Sequence, residues 1–407
     1  MDTEHPAHVF TDPSAYADTE RFHAACALLR RDSPVTRVDT DGFEPFWAIT
    51  KHDDVLDIER QPELWLSAPR PALGPKALGA DAADIPVRTL VQMDAPDHTV
   101  YRQISSAWFK PKQIATLEPR ITELARRSVE RMRSLDGTCD FFTDVAIDFP
   151  LQVILSLMGL PEDDFPRLLR LTQELFGASD PELRRDDGAD MMATLLDFFE
   201  YFERLIADRR SSPRDDLATV IANAQIDGEP IGVLEAVGYY VLIATAGHDT
   251  TSSAISGGMH ALIEHPDQLD RLRANPELIP LAADEMIRWV SPVKQFMRTA
   301  ADDTEIRGVT IPAGGSVLLS YPSANRDDDA FEHPERFDAG RNPNRHLGFG
   351  FGPHYCLGTH IAKLELRVLY GELVPLLDDV SLAGPAEYMR TLFVGGPKHL
   401  PIRYEMA

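Results

Sequence analysis

The sequence predicts a helix-rich α+β fold. Three observations carry that reading. Apolar residues recur at three- and four-residue spacing through most of residues 99–224, the signature of amphipathic helices. Residues 231–263 form one long stretch that is apolar on most faces, which reads as a helix running through the core. Short strand-like pieces separated by Pro/Gly turns lie on either side of this helical block. With 407 residues, 43% of them apolar, the chain can bury a large core.

Taken in order, residues 20–31 have helical spacing, with Phe22, Ala25, Leu28 and Leu29 on one side. Residues 46–50 (Phe-Trp-Ala-Ile-Thr) read as a strand, followed by a short helix around Val55. Residues 67–83 are rich in Pro, Gly and Ala and read as a long irregular loop, of the kind that often binds ligands. Helices are expected at 121–132, 151–158 and 191–206, punctuated by Ser179-Asp180-Pro181 and Ser211-Ser212-Pro213. After the long 231–263 helix come a helix at 281–290 and strands at 305–311 and 316–320, joined by the turn Pro312-Ala313-Gly314-Gly315. A coil is expected from Asn325 to Gly352, a helix at 359–377, and strand-like pieces at 390–394 and 402–404.

The formal net charge of -25 argues against nucleic acid, because neutralising phosphates needs a basic face. It argues equally against an anionic membrane surface, and no apolar run approaches the roughly 18 residues that span a bilayer. The acidic, polar start Met1-Asp2-Thr3-Glu4 lacks the pattern of a secretory signal. Cys26, Cys139 and Cys356 are odd in number and far apart, which suits reduced thiols in a cytoplasm and excludes a disulfide framework or a paired-cysteine zinc site.

One of these cysteines stands in an unusual setting, Phe349-Gly350-Phe351-Gly352-Pro353-His354-Tyr355-Cys356-Leu357-Gly358. Its glycines allow tight turns and close approach to a flat ligand. A helix beginning near Thr359 would favour a Cys356 thiolate through its free N–H groups and dipole. The same residues also admit a buried structural cysteine, or zinc on His354, Cys356 and His360, although no fourth ligand is obvious. Gly348-x-Gly350-x-Gly352 is misplaced for a nucleotide loop. A second unusual string, Ala246-Gly247-His248-Asp249-Thr250-Thr251, interrupts the apolar helix with polar residues. Physically it reads as a buried polar kink, or as the start of a second helix capped by Asp249.

The cysteine string resembles the cysteine loop of the cytochrome P-450 family, Phe-x-x-Gly-x-His/Arg-x-Cys-x-Gly, and Phe349, Gly352, His354, Cys356 and Gly358 fill every fixed place. The resemblance implies the cytochrome P-450 fold over 1–407 as a single domain. Its β-rich portions would lie near 35–60 and 300–325 and at the C-terminal strands, and its helical lobe at 95–300 and 356–377. It implies heme b (iron protoporphyrin IX) with Cys356 as axial ligand, so that the thiolate pushes electron density to the iron and favours O–O cleavage. The 246–251 string resembles the family's Ala/Gly-Gly-x-Asp/Glu-Thr-Thr/Ser motif, which makes Asp249 and Thr250 the acid–alcohol pair of proton delivery and leaves His248 in a variable place with no catalytic role. Glu285 and Arg288 match the family's internal Glu-x-x-Arg pair. Arg341, in Phe337-Asp338-Ala339-Gly340-Arg341, would complete a structural triad.

By the same resemblance His98, Arg102, Arg298 and His354 would bind the haem propionates. Leu242, Ala246, Val293, Phe296, Leu392, Phe393 and the 67–87 loop would line the substrate pocket. Lys110, Lys112, Arg345, Lys363 and Arg367 would form a basic face for an acidic ferredoxin, supplied by a separate NAD(P)H-dependent reductase, since no flavin or nicotinamide domain fits after Gly358. From Asp94 onward, four stretches (243–253, 321–327, 344–350 and 393–398) resemble most the family members that hydroxylate alpha-terpineol, other monoterpenes and alkyl-aromatics. The implied function is a monooxygenase acting on a small lipophilic substrate with O2. A haem sensor or carrier would have no use for Asp249 and Thr250, and a peroxide-driven variant usually lacks that pair.

Overall fold

Four of the 231–263 residues, Ala246 to Asp249, set the first departure from expectation. The computed structural model describes residues 5–76, 88–184 and 191–407, and in it this stretch is two helices rather than one. Helix α4 (Val233–Ala246) ends at Gly247, and helix α5 (Asp249–Glu264) starts after His248. The Thr250 hydroxyl donates to the Ala246 carbonyl at 2.7 Å, taking the place of a helical N–H. A Cβ at Gly247 would come within 2.3 Å of the Ile154 side chain, so the break also lets helix α2 (Asp148–Met158) pack close.

The remaining expected helices are present: Thr19–Asp32, His52–Glu59, Pro111–Arg133, Met191–Ser211, α6 (Ile279–Val290) and α7 (Thr359–Leu373). Helices α1 (Asp97–Ser106) and α3 (Phe165–Phe176) complete the set around the site. One large apolar cluster joins these helices, with Phe149, Phe202, Tyr240, Met259 and Tyr370 among its buried members.

Beside this helical core lies a five-stranded sheet of β1 (Val35–Val38), β2 (Phe46–Ile49), β3 (Trp65–Leu66), β4 (Gln295–Ala300) and β5 (Ser316–Ser320). Its order is β1-β2-β5-β4-β3, antiparallel except for the β2–β5 pair. Every residue of β5 is buried and those of β4 nearly so, which erases the alternation that reveals strands in a sequence. Strand β4 therefore falls at the end of the portion expected to be helical, whereas β1 lies within the β-rich portion expected near 35–60. Two expected strands differ: 305–311 is a hairpin of Thr304–Ile306 and Val309–Ile311, turning at Arg307 (φ 49°) and Gly308 (φ 79°). Residues 390–394 form no ladder apart from one Val293–Val394 bridge, because the Arg390 N–H goes to Asp180 and the Phe393 N–H to the Thr391 hydroxyl. Residues 77–87 of the expected entry loop lie outside the described residues.

The coil that leads to Cys356 is fixed by charge rather than by regular structure. Glu285 is fully buried on α6 and receives Arg288 in a two-pronged pair, at 2.7 and 2.8 Å. Arg341 Nε donates to the same carboxylate at 3.0 and 3.1 Å, and Asn344 and the Asp338 N–H add further bonds. The guanidinium hydrogens left over reach carbonyls of Asn325, Pro334, Arg336, Glu332 and His333. Glu285, Arg288 and Arg341 thus pin residues 325–344 to helix α6. Asn325 passes the constraint on, receiving the Leu347 N–H at 2.7 Å.

Removing the carboxylate leaves two guanidinium groups in the interior without an anion. Glu285→Ala is expected to lose about 3–5 kcal/mol of stability. Chemical denaturation would measure the loss. A variant as stable as the parent would show that the buried pair holds nothing.

Candidate active site

The cysteine loop is built from two turns in the left-handed region, at Gly350 (φ 64°) and Gly352 (φ 67°). Gly352 has no alternative, since a Cβ there would lie 2.3 Å from the Glu59 carbonyl oxygen. The Cys356 N–H donates to the Phe349 carbonyl at 2.9 Å, closing the loop on itself. Helix α7 begins three residues later, and the Thr359 hydroxyl donates to the Cys356 carbonyl at 2.8 Å. Cys356 is the exposed member of the three cysteines, yet protein atoms crowd the rest of its surroundings. Burial raises its thiol above the ordinary range, while the Gly358 and Thr359 N–H groups, the Thr359 hydroxyl and Arg102 pull the other way. That donor set serves a sulfur anion, and a metal ion on the sulfur is what would make it one.

Beside the cysteine, four cationic or imidazole side chains come together from three parts of the chain. The His98 ring, from the first turn of α1, lies over the His354 ring at 4.1 Å. Arg102, one turn further along α1, donates to the Tyr355 carbonyl. Arg298 projects from β4 and is buried. Burial lowers the His354 ring to about 2, helped by Arg298, His98 and Arg102, and burial also lowers His98. Both rings are therefore neutral. The His98 Nε2 atom is buried and has no partner among the described residues, while His354 Nε2 lies 3.0 Å from the Ser67 hydroxyl. Carboxylates would satisfy this group, so the residues present fit a haem with its two propionates.

Two further residues that sequence reasoning did not single out contact residues of the expected site. Glu59 is buried beside Arg298 at 3.5 Å and accepts from the Tyr321 hydroxyl at 2.8 Å. Burial raises its carboxyl to about 7 against the opposing pull of Arg298. Phe176, at the end of α3, stands 6.1 Å from Phe393. Neither residue lies in a distinctive string, and their partners are more than two hundred positions away.

Across the α4–α5 break, Leu242, Ala246 and Thr250 recur at four-residue spacing and are the partly open positions on helices otherwise buried on that side. Asp249 is buried, with Oδ2 lacking a hydrogen-bond partner among the described residues. Phe296 and Phe393 pack edge to face at 5.3 Å, Val293 bridges Val394, and the Lys294 N–H donates to the Phe393 carbonyl, so these residues share one apolar corner. Leu392 differs: it belongs to the N-terminal core with Phe10, Leu73 and Met297. Of the basic residues, Lys363 pairs with Asp284 at 2.6 Å and Arg367 with Glu118 at 2.9 Å, whereas Lys110, Lys112 and Arg345 are exposed and form no ion pair among the described residues.

A family model for cytochrome P450 matches residues 82–375, well over half of the chain. The chain is a cytochrome P450, a monooxygenase family in which a haem is held by a cysteine thiolate and which draws on O2 and a redox partner. Among its relatives, cytochrome P450-terp of Pseudomonas sp is 43% identical, over 99% of this chain and 98% of the relative. Linalool 8-monooxygenase of Pseudomonas putida is 34% identical, over 93% and 95%. A crystal structure of a cytochrome P450 from Novosphingobium aromaticivorans superposes with a TM-score of 0.90 at 38% identity, covering 99% of this chain and 98% of that one. Among the described residues no helix is long and apolar enough to cross a membrane.

The segment after α3 is fastened by charge to the strand Pro397–His399, which pairs with Glu387–Tyr388. Buried Asp180 receives Lys398 at 3.0 Å, and His399 sits between Asp140 and Glu182, each at 2.7 Å. Partial burial would lower the His399 ring, but the two carboxylates outweigh it and the net shift is upward. A raised histidine contributes fully below its unfolded value of about 6.5 and loses that contribution as pH rises through its folded value. Amide protection factors for residues 177–184 should therefore fall as pH rises above about 6.5, and His399→Gln should remove the dependence. Protection independent of pH in the parent protein would contradict the clasp.

Proposed function

We propose that this cytochrome P450 hydroxylates a small lipophilic substrate of monoterpene or alkyl-aromatic type, using electrons from a ferredoxin and its separate NAD(P)H-dependent reductase. The observation that carries the reading is that the chain builds both parts such a site needs. One is Cys356 beside His98, Arg102, Arg298 and His354, and the other is a helix break that presents Thr250 next to a buried carboxylate. The names of two relatives, P450-terp and linalool 8-monooxygenase, support the terpene class. The apolar corner of Val293, Phe296 and Phe393, with Leu242 and Ala246, suits a neutral, lipophilic ligand.

In this reading the Cys356 thiolate would hold the iron of heme b, and His98, Arg102, Arg298 and His354 would hold its propionates. When bound, the thiolate-ligated haem supplies oxygen activation and O–O cleavage. The protein's part is to keep the cleft dry and to bring protons. The Thr250 hydroxyl donates a hydrogen bond into the cleft once it leaves the Ala246 carbonyl, and Asp249 exchanges protons with solvent. Glu285, Arg288 and Arg341 have no chemistry and hold the coil. Lys110, Lys112 and Arg345 receive the acidic ferredoxin, and the chain works in the cytoplasm, where its three cysteines stay reduced.

Spectral titration with a library of monoterpenes, alkyl-aromatics and steroids tests the substrate class. Small terpenes or alkyl-aromatics should shift the spin state, and a response confined to steroids would overturn the assignment. Thr250→Ala should bind the same ligand and consume NADH at a similar rate. It should divert most of the reducing equivalents to hydrogen peroxide, lowering product by about tenfold or more. Undiminished coupling of NADH to product would remove Thr250 from proton delivery.

A further inference from the structure

Asp249 carries a problem that its assigned role does not solve. A carboxylate in the interior needs a hydrogen-bond donor or a cation, or it does not stay ionised. The bonds around it offer one nearby group, the ring of His248, which is completely buried. His248 Nδ1 lies 3.4 Å from Asp249 Oδ2 and 3.3 Å from the Thr172 hydroxyl of α3. His248 Nε2 lies 3.1 Å from the Ile147 carbonyl.

The hydrogen inventory of these atoms turns on the Thr172 hydroxyl. A carbonyl only accepts, so Nε2 carries a hydrogen. Thr172 has one hydroxyl hydrogen, which either the Leu169 carbonyl at 3.0 Å or Nδ1 at 3.3 Å can take. A neutral ring that takes it turns the Nδ1 lone pair toward Asp249 Oδ2, which only accepts and receives no hydrogen bond among the described residues. With the hydrogen on Leu169, both ring nitrogens face acceptors, and a ring that carries two hydrogens suits both. Asp148 of α2 lies close enough for its charge to act on His248 and is tied to Arg131 at 3.5 Å. The charged groups facing the ring are thus two carboxylates, Asp249 from α5 and Asp148 from α2, and α3 contributes only the Thr172 hydroxyl.

We propose that His248 is a positioning residue: a buried imidazolium that keeps Asp249 ionised and fixes its rotamer behind Thr250, so that proton delivery starts from one defined geometry. The inference rests on the reading of Asp249 and Thr250 as the proton-delivery pair. It differs from the expectation that His248 merely fills a variable place.

The direct test is nitrogen-15 NMR of histidine-labelled, haem-loaded protein in its diamagnetic ferrous–CO form, with the His248 signals assigned by their loss in His248→Asn. Both ring nitrogens should resonate as protonated at neutral pH. An unprotonated Nδ1 would overturn the proposal, and this readout needs no turnover. Kinetics supply the second arm. His248→Leu should lower kcat on the order of tenfold with KM nearly unchanged and raise the solvent deuterium isotope effect. His248→Asn, whose amide can still donate to Asp249, should recover part of the loss. Unchanged kcat and isotope effect in His248→Leu would also overturn the proposal. Asp249→Asn run alongside separates the two failures. Normal coupling in Asp249→Asn removes the proton-delivery reading itself, whereas an impaired Asp249→Asn together with a neutral His248 removes only this inference.

Discussion

A single buried carboxylate organises the side of the molecule that carries the cysteine. Glu285 lies at 0% exposure between two guanidinium groups. Such an arrangement costs several kcal/mol per ion in desolvation, and it persists only because nearly every donor around it finds an oxygen. Those oxygens are mostly main-chain carbonyls of residues 325–336, so satisfying the charges is the same act as folding the coil. From there the order is relayed through Asn325 to Leu347, through the Gly350 and Gly352 turns, and to the N-terminus of α7. His346 and Lys363, both on Asp284, fasten the same coil to α6 and α7 at a second point.

The opposite side of the site solves a different problem. A helix through an apolar core presents no spare polar groups, yet the proposed proton delivery needs a hydroxyl and a carboxylate beside the ligand. The α4–α5 break supplies both with little loss of hydrogen bonding, because the Thr250 hydroxyl takes over the Ala246 carbonyl. Gly247 permits the close approach of α2, and the His248 ring fills the volume behind the break with a polar group whose two nitrogens are both engaged. In the proposed function, local weakness in the helix and chemistry are one feature.

Much of this was legible in the sequence because the informative residues cluster. The cysteine loop and the 246–251 string each place several constrained residue types within a dozen positions, and the Glu285–Arg288 spacing needs only one helix turn to bring the partners together. The physical reading of 246–251 as a possible second helix start proved the better guide to its backbone than the single long helix did, although Asp249 is the first helical residue rather than the cap. What stayed hidden depends on distant pairing. Strand β4 is buried on both faces and shows no alternation, so Arg298 could be placed by resemblance but not by pattern. Glu59 meets Arg298 only because two segments 239 positions apart fold together. The 390–394 segment has strand-like residues, but its backbone groups are claimed by Asp180 and Thr391 before any neighbouring strand can pair with them.

The central claim is that this scaffold exists to hold Cys356 as a thiolate on a haem iron. The ferrous–CO absorption spectrum reports the identity of that ligand directly. The account predicts a strongly red-shifted Soret band for the parent protein and its loss in Cys356→His, which should retain some haem through His98, Arg102, Arg298 and His354. The same red-shifted band in Cys356→His would place another group on the iron and contradict it.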